Sequence, residues 1–455
     1  MIRKRISRIL VANRGEIALR ILRACLELDV ESILAVSEAD RESLPGRMAD
    51  RVVCIGPPPS MRSYLQVDTI VAAALGTKAE AIHPGYGFLA EQPALPEACE
   101  KYGLVFIGPR AEQIRQMGDK VLARRTVQEI GVPIIPGSGQ VQSPEAAAGA
   151  ADGLGYPVLI KAAAGGGGRG MKVAQDAREL GPLLLEAAAE ARTAFGDDRL
   201  YLEKVISHAR HVEVQIMGDG EGHVVHLFER DCSLQRRHQK MVEESPCPVL
   251  TSAQRKALCD AAVAIARHIS YESAGTVEFI WDQDGETFYF LEMNTRIQVE
   301  HPVTEMVTGI DLVREQIRLA GGEGLSFAQE DITCTGHAIE CRITAESPDA
   351  GFRPCPGRIR EWTAPHGPDI RVDTHCFSGY EVPPFYDSLL AKLIVRGNTR
   401  REAIERMQQA IACFRVKGID TTLPFHERIL KTTAFRDSAV HTRWIEENVM
   451  REKGL

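Results

Sequence analysis

Short apolar strands alternate with amphipathic helices over about the first 115 residues, and this alternation constrains the fold more than any other feature. Ile9–Ala12 predicts a buried strand, and Glu16–Leu28 predicts the helix after it, with Ile17 and Ile21 on the apolar face. Further strands are expected at Ser32–Val36, Ala79–His83 and Leu104–Gly108. Alternation of this kind predicts a parallel sheet covered by helices, a Rossmann-like α/β layer. The first turn, Asn13-Arg14-Gly15, lacks the glycine fingerprint of a dinucleotide site.

The remainder of the chain follows a different pattern. Gly131–Gly139 is rich in glycine and proline and predicts a boundary or hinge. The next residues, to about 206, predict a small α+β unit that includes strand Val158–Ala162 and helix Ala177–Ala194. Mainly antiparallel strands follow, and further short strands are expected beyond about residue 335. The fold class is therefore α/β with additional α+β parts.

Composition limits the classes of function. The chain has 455 residues, 44% hydrophobic and 25% charged, with a net charge of −8, so a nucleic-acid surface is not expected. Eleven cysteines without a CxxC pair indicate a reducing compartment and no structural zinc. No signal peptide and no apolar run of membrane-spanning length is found, so we expect a cytoplasmic protein without membrane attachment.

The most informative polar segment is residues 292–301, Glu-Met-Asn-Thr-Arg-Ile-Gln-Val-Glu-His. Polar side chains recur with a period of two, at Glu292, Asn294, Arg296, Gln298 and Glu300. In an extended chain they would share one face. Two carboxylates, two amides and a guanidinium suit a metal–phosphate site with an anion clamp.

The same alternation is also typical of any half-buried strand with a solvated face. At about 3.3 Å per residue, the two glutamates at its ends would lie roughly 26 Å apart in a straight strand. One compact site therefore requires a bend. We expect the strand to end near Thr295 and the remaining residues to form an adjoining subsite.

A hairpin around Gly285 can bring a second carboxylate beside this segment. If its turn centres on Gly285, Glu278 faces Glu292 with Cβ atoms about 5 Å apart. A shift of one residue would place the two on opposite faces and exclude a shared metal. In the first register, a divalent cation between the carboxylates would relieve their repulsion, and Mg²⁺ prefers such oxygen ligands.

Two other segments could bind phosphate. Lys161-Ala-Ala-Ala-Gly-Gly-Gly-Gly-Arg-Gly170 joins two predicted strands, so it is not a Rossmann turn, but its backbone could fold over phosphates. A hairpin tip without a ligand is the alternative. Residues 236–240, Arg-Arg-His-Gln-Lys, could bind an anion or could form a solvated charged loop.

Together these motifs resemble one family. The motifs are Val11-Ala-Asn-Arg-Gly-Glu-Ile-Ala18, His83-Pro-Gly-Tyr-Gly-Phe88, Met117-Gly-Asp-Lys120, Glu229-Arg-Asp-Cys-Ser233, Arg236-Arg-His-Gln-Lys240 and residues 292–304. In this order, from about residue 6 to about 445, they resemble biotin carboxylase of the ATP-grasp superfamily. The resemblance implies a Rossmann-like N-terminal domain (1–116), an ATP-grasp domain (117–334) with a mobile lid (about 133–206), and an α+β C-terminal domain (335–449).

The resemblance also implies the chemistry. ATP would phosphorylate bicarbonate to carboxyphosphate, which decomposes to CO₂ and phosphate, and biotin N1 would attack the CO₂. Residues implied around ATP are Lys120, Lys161, Gly165, Gly166, Gly167, Gly168, Glu203, Lys204, His211, Gln235, His238 and Lys240. Ligands implied for Mg²⁺ or Mn²⁺ are Glu278, Glu292 and Asn294.

Bicarbonate would be bound by Arg296, Gln298 and the backbone of Val299. Glu300 would remove its proton, and Arg342 would stabilise the biotin enolate. A fixed guanidinium beside developing negative charge is the kind of interaction that often dominates a rate. The glycine run is shorter than is usual in the family, with Ala163 and Ala164 at its start.

The leading hypothesis is the biotin carboxylase component of a biotin-dependent carboxylase such as acetyl-CoA carboxylase, working as a homodimer. The sequence lacks the Ala-Met-Lys-Met signature for biotin attachment, so a biotin carboxyl carrier protein and a carboxyltransferase are expected as partners on other chains. The choice of final carboxyl acceptor would then lie in the partner. Another ATP-grasp ligase, in which an amine attacks an acyl phosphate, is the alternative enzyme, and a non-catalytic scaffold is the alternative of another class.

Overall fold

A five-stranded parallel sheet forms the N-terminal part of the computed structural model, which describes residues 6–141, 143–163 and 171–450. Its strands are β1 (Arg8–Val11), β2 (Glu31–Val36), β3 (Arg51–Cys54), β4 (Ala81–His83) and β5 (Val105–Phe106), in the order β3-β2-β1-β4-β5. The helices of this part are α1 (Gly15–Glu27), α2 (Leu44–Met48), α3 (Val67–Thr77), α4 (Ala94–Tyr102), α5 (Ala111–Gly118) and α6 (Lys120–Glu129). The predicted parallel α/β layer is confirmed.

Strand β1 is apolar throughout because both of its faces are buried. Ile9 and Val11 pack into one hydrophobic cluster, and Leu10 and Ala12 pack into another on the opposite face. The chain order reverses between β1 and β4, so the loops after these two strands diverge and leave a crevice at their carboxyl ends. The N-terminal part presents this edge to the rest of the protein.

A four-stranded antiparallel sheet begins within the breaker-rich segment, whose last three residues start its first strand. It contains β6 (Gly137–Val141), β7 (Val158–Ala162), β8 (Lys172–Ala174) and β9 (Leu200–Lys204), in the order β6-β9-β7-β8, with helices α7 (Pro144–Leu154) and α8 (Ala177–Phe195). Small alanine side chains let both helices approach the sheet closely, and Ala147, Ala151, Ala187 and Ala191 are fully buried there. The predicted small α+β unit is confirmed.

An eight-stranded sheet is the largest element, with the strand order β14-β13-β10-β11-β12-β15-β22-β20. Its first five strands are β10 (Ala209–Asp219), β11 (Val224–Arg236), β12 (Gln239–Ser245), β13 (Glu272–Asp282) and β14 (Thr287–Asn294), accompanied by α9 (Ser252–His268), α10 (His301–Thr308) and α11 (Leu312–Ala320). Strand β12 pairs with β15, so the last part of the chain extends the same sheet. The central and C-terminal parts therefore share a continuous backbone hydrogen-bond ladder.

The C-terminal part adds the remaining elements. They are β15 (His337–Thr344), β16 (Glu346–Ser347), β17 (Arg353–Pro354), β18 (Gly357–Arg358), β19 (Glu361–Thr363), β20 (Ile370–Thr374), β21 (Glu381–Val382), β22 (Leu389–Gly397), β23 (Arg415–Lys417), α12 (Arg400–Cys413), α13 (Leu423–Leu430) and α14 (Thr433–Arg436). Short 3₁₀ turns lie at Glu38–Asp40, Ser60–Arg62, Gln329–Asp331 and Pro348–Ala350, and a π-helical turn lies at Glu446–Met450. Helix α12 covers the end of the large sheet and buries Met407 against it.

The backbone of Tyr271 lies so close to Gly218 that a side chain at this position is not accommodated. A Cβ at this position would lie 2.2 Å from the carbonyl oxygen of Tyr271, so the backbone would have to shift. We expect Gly218→Ala to lower the free energy of unfolding by about 1–3 kcal/mol. Gly76 in α3 has nothing within 4 Å of such an atom. Gly76→Ala should therefore raise stability by up to about 1 kcal/mol.

Thermal and urea unfolding of both variants beside the parent protein would check this expectation. Equal melting temperatures for Gly218→Ala and the parent would show that β10 can move away from Tyr271 without cost.

Candidate active site

Four charged residues lie directly opposite one another on neighbouring strands of the large sheet. Glu292 on β14 pairs with Glu278 on β13, Glu278 pairs with Glu213 on β10, and Glu213 pairs with Arg230 on β11. Residues opposite in an antiparallel ladder share a face. The expected pairing of Glu278 with Glu292 is therefore confirmed, and the two carboxylates predicted to share a metal lie on the same face. The expected turn centre at Gly285 is wrong, because Asp282 pairs with Thr287 and the turn centres between residues 284 and 285. A β-bulge after Glu278 shifts the register by one residue and restores the pairing.

Lys240 contacts three buried carboxylates. Its Nζ donates to Glu213 Oε2 at 2.5 Å, to Glu300 Oε1 at 2.7 Å and to Glu278 Oε1 at 2.9 Å. Burial alone would lower the pKa of Lys240, but the three carboxylates outweigh burial and raise it well above its ordinary value. Burial acts to raise the pKa of Glu278, yet Lys240 and His211 hold it well below the usual range. The ammonium and the carboxylates are therefore charged at neutral pH.

Two amides link the guanidinium of Arg296 to Glu278. Asn294 donates to Glu278 Oε1 at 2.9 Å and accepts from Arg296 Nη2 at 2.9 Å. Gln298 does the same, with distances of 2.9 Å and 2.6 Å. Strand β14 ends at Asn294, which confirms the expected bend near Thr295. The bend turns Arg296 and both amides toward one point, which a straight strand could not do.

Arg296 also contacts the N-terminal part of the chain. Its Nε donates to Glu91 Oε2 at 2.8 Å, and the backbone N–H of Thr295 donates to the other oxygen of Glu91 at 3.1 Å. Glu91 lies in the loop between β4 and α4, at the carboxyl edge of the parallel sheet. This ion pair joins the anion clamp to the crevice described above.

Arg342 and Glu300 form the third side of the site. Arg342 on β15 donates from Nη2 to Glu300 Oε2 at 2.8 Å and from Nε to Glu243 Oε1 at 2.6 Å. Glu300 precedes helix α10 and is fully buried, with Lys240 on its other oxygen. Burial acts to raise the pKa of Glu300, but Lys240 and Arg342 lower it despite repulsion from Glu213. The carboxylate is therefore ionised and can accept a proton.

A second group of predicted residues lies beside the small sheet. Lys161 Nζ on β7 donates to Glu203 Oε2 at 2.9 Å, and Arg124 contacts the other oxygen of Glu203. Lys120, at the start of α6, lies 3.4 Å from Glu292 Oε2. Two lysines therefore reach the same side of the site from different elements, an arrangement suited to a polyphosphate.

The other predicted nucleotide-binding residues divide into a buried pair, Gln235 and His211, and an exposed pair. Gln235 donates to His211 Nδ1 at 2.7 Å, and His211 Nε2 lies 3.0 Å from Glu278 Oε2. Lys204 and His238 are exposed, and His238 has a φ of +64° in the turn between β11 and β12. Gly165, Gly166, Gly167 and Gly168 lie outside the described residues.

Which side chains could hold a metal depends on the chemistry of the donors. Within the described part of the chain, His211, Glu213 and Glu278 form one tight group of potential ligands, and Glu213, Cys232 and Glu300 form another. Burial raises the pKa of the Cys232 thiol well above its ordinary value, so thiolate coordination is disfavoured. Mg²⁺ prefers hard oxygen ligands with room for phosphate and water. The partly exposed Glu292 opposite Glu278, with the Asn294 amide beside them, fits that requirement better.

The sequence did not indicate a role for four residues of the site, although one of them, Arg230, lies within the Glu229-Arg-Asp-Cys-Ser233 motif. They are Glu91, Glu213, Arg230 and Glu243. Glu213 has a weak signal, since His211, Glu213 and Gln215 alternate along one strand. The other three contact residues that are distant in sequence, and Arg230 is fully buried with bonds to Glu213, Gln215, Thr276 and Thr304.

Comparison with known proteins follows the same three parts. Residues 5–114 match the family model "Biotin carboxylase, N-terminal domain". Residues 119–328 match "Carbamoyl-phosphate synthase L chain, ATP binding domain", and residues 340–447 match "Biotin carboxylase C-terminal domain". Together the three models span nearly all of the sequence.

Individual proteins are similar along nearly their whole length. Biotin carboxylase of Nostoc sp. is 52% identical over 97% of this chain and 98% of its own. Biotin carboxylase 1 of Bacillus subtilis is 51% identical over 97% of this chain and 98% of its own. The biotin carboxylase domain dimer of Hydrogenobacter thermophilus 2-oxoglutarate carboxylase, solved with MgADP, ADP and bicarbonate, has a TM-score of 0.95 and 46% identity, covering 98% of both chains.

Every helix among the described residues is too short or too polar to span a lipid bilayer.

Glu340 yields a prediction on pH and stability. It lies opposite Glu243 in the β12–β15 ladder, and neither carboxylate oxygen of Glu340 has a hydrogen-bond partner among the described residues. Burial raises the pKa of Glu340 well above its ordinary value of 4.5, and Glu243 adds to this effect against the attraction of Lys392. In the unfolded chain Glu340 releases its proton near the ordinary pKa of 4.5, whereas the folded protein keeps the proton to higher pH. The free energy of unfolding therefore falls as the pH rises from 4.5 toward the pKa of the folded protein.

Glu340→Gln cannot ionise and should escape that loss. We expect the melting temperature of Glu340→Gln to exceed that of the parent more at pH 8 than at pH 5, with exposed Glu381→Gln as the control. An equal difference at both pH values would mean that Glu340 is ionised in the folded protein.

Proposed function

The chain belongs to the biotin carboxylase family, and we propose how its residues carry out the ATP-dependent carboxylation of biotin with bicarbonate. The observation that carries the proposal is the network of bonds centred on Lys240. Lys240 donates to Glu278 and to Glu300, and Arg342 also donates to Glu300. The amides of Asn294 and Gln298 join Arg296 to Glu278. Three positively charged side chains, Lys240, Arg296 and Arg342, therefore lie near the ionised carboxylate of Glu300, which can act as a base.

Bicarbonate binds to the Arg296 guanidinium. The guanidinium is permanently charged and attracts the anion, and the bonds to Glu91, Asn294 and Gln298 hold it in place before the substrate arrives. Gln298 and the backbone N–H of Val299 supply further donors. Because these groups are already ordered, little entropy is lost when the anion binds.

Glu300 takes the proton of bicarbonate. Its carboxylate is ionised and lies between the cations Lys240 and Arg342, which keep it in position. The deprotonated oxygen then attacks the γ-phosphorus of ATP, the bond to the β-phosphate oxygen breaks, and ADP leaves. Lys240 offsets the negative charge that builds up as carboxyphosphate forms.

ATP lies between the small sheet and the large sheet. Lys120 and Lys161 neutralise its phosphates, while Glu203, Lys204, His211, Gln235 and His238 surround the nucleotide. Glu278, Glu292 and Asn294 hold Mg²⁺ or Mn²⁺, which neutralises phosphate charge when bound. The chain's own contribution is to align the two reacting oxygens.

Arg342 serves the second half of the reaction. Carboxyphosphate decomposes to CO₂ and phosphate, the released phosphate takes the N1 proton of biotin, and N1 attacks the carbon of CO₂. The negative charge on the ureido oxygen of biotin then lies beside the Arg342 guanidinium, which is already fixed by Glu243 and Glu300.

The partners follow from the substrate. A biotin carboxyl carrier protein delivers the ureido ring, and a carboxyltransferase takes the product to its acceptor. A homodimer is supported by the dimer reported for the Hydrogenobacter domain. A cytoplasmic location is supported by the cysteines, all eleven of which are free thiols in the described residues.

The test of this function is ATP cleavage that depends on both bicarbonate and biotin. We expect Arg296→Ala to lower kcat/KM for bicarbonate by about 100-fold or more, because the anion loses its principal donor. Exposed Arg401→Ala serves as the matched control. Full activity of Arg296→Ala would contradict the assignment, and ATP cleavage that needs an amine instead of biotin would favour an acyl-phosphate ligase.

The metal site has its own test. Glu292→Gln should raise the Mg²⁺ concentration needed for half-maximal ATP cleavage by about tenfold or more, because one carboxylate ligand is lost. Glu286→Gln, an exposed position in the same hairpin, should leave the requirement unchanged. An unchanged requirement in Glu292→Gln, measured by titration with Mg²⁺ and with Mn²⁺, would exclude Glu292 as a ligand.

A further inference from the structure

Residues 298–300 provide three of the groups assigned to bicarbonate, and two of their backbone carbonyls are held by buried side chains. His301 Nδ1 donates to the Gln298 carbonyl at 2.8 Å. Lys392 Nζ donates to the Val299 carbonyl at 3.0 Å. Both bonds are made to backbone carbonyls and not to the groups proposed to bind bicarbonate. They therefore fix the orientation of the two peptide planes.

The hydrogen bond from His301 to the Gln298 carbonyl affects the backbone N–H that is proposed to bind bicarbonate. In a trans peptide the carbonyl and the N–H of the next residue point in opposite directions. When His301 binds the Gln298 carbonyl, the Val299 N–H of the same peptide is directed away from His301. A hydrogen bond to the carbonyl also polarises that N–H and strengthens it as a donor.

The protonation of His301 supports this role. Burial lowers the pKa of His301 well below its ordinary value, and the neighbouring cations Lys392, Arg20 and Arg371 lower it further against the attraction of Asp373. The ring is therefore neutral and carries one N–H. Since the acceptor at Nδ1 is a carbonyl, that hydrogen is on Nδ1.

Lys392 acts on the adjoining peptide from another part of the chain. It is fully buried on β22, lies 3.1 Å from Glu16 Oε2 at the start of α1, and is directly opposite Arg342 in the ladder. Asp373 is 3.8 Å away on β20. A buried ammonium is costly unless it is paired. Here the pairing fixes it against the Val299 carbonyl, so its position depends on both the N-terminal and C-terminal parts.

We propose that His301 and Lys392 are positioning residues that orient the two peptides between Gln298 and Glu300, so that the Val299 N–H faces bicarbonate. This inference rests on the proposed function. It predicts that the two side chains affect bicarbonate much more than ATP, because the nucleotide is bound by other elements.

The experiment compares His301→Ala with His301→Asn, whose amide nitrogen can replace Nδ1 as a donor. We expect His301→Ala to raise KM for bicarbonate by about tenfold or more while KM for ATP stays within about twofold. His301→Asn should recover most of the loss. Exposed His223→Asn is the matched control.

Lys392 is tested in the same assay. Lys392→Met leaves Glu16 without its cation, so the double variant Lys392→Met/Glu16→Gln is made beside it to remove both buried charges. Melting temperatures establish that each variant is folded. Both should show the selective rise in KM for bicarbonate, and exposed Lys431→Met should not.

Three results would overturn the inference. An unchanged KM for bicarbonate in folded His301→Ala would show that the Val299 peptide needs no support. A parallel rise in KM for ATP and for bicarbonate would indicate general deformation instead of positioning. A parent protein without bicarbonate- and biotin-dependent ATP cleavage would overturn the proposed function, and the inference with it.

Discussion

The attraction between Lys240 and three buried carboxylates is the interaction on which the rest of the site depends. Glu213, Glu278 and Glu300 come from two strands and the start of a helix, and all three lie within hydrogen-bonding distance of one ammonium. Carboxylates buried so close together would repel strongly without it, and an uncompensated buried charge costs several kcal/mol. Lys240 therefore holds the acidic side of the site together and leaves its carboxylates ionised.

Ion pairs between distant parts of the chain complete the arrangement. Glu91 reaches Arg296 from the parallel sheet, and Arg342 reaches Glu300 from the last strands. Lys392 contacts both Glu16 and the Val299 carbonyl. Each pair crosses a boundary between parts that the family models treat separately. The side chains proposed to bind substrate are thus oriented by the contacts between the three parts. A polar site that is ordered in advance lowers the free-energy cost of the charge that develops during the reaction.

Much of the fold could be predicted from local pattern. Strand β7 has the predicted bounds, and helix α8 ends one residue beyond its predicted end, because apolar periodicity acts over a few neighbouring residues. The pairing of Glu278 with Glu292 was one of two registers considered, and it depends on a β-bulge after Glu278 that the sequence did not indicate. Strand β3 was not predicted, because Arg51–Cys54 is an exposed edge strand without an apolar run. The pairing of β12 with β15 was not predicted either, since no local signal encodes contact between strands so far apart.

The sequence by itself determined which chemical groups are available: the alternating polar residues of 292–300, the basic turn before Lys240, and Arg342. Their order and spacing were enough to indicate the family. Only the tertiary structure decided which charges meet, as when Glu91 pairs with Arg296 and Lys392 with the Val299 carbonyl. The physical reason is that a charge is buried only where its partner arrives, and partners separated by more than 90 positions are brought together by the packing of sheets and helices, which no short stretch of sequence encodes.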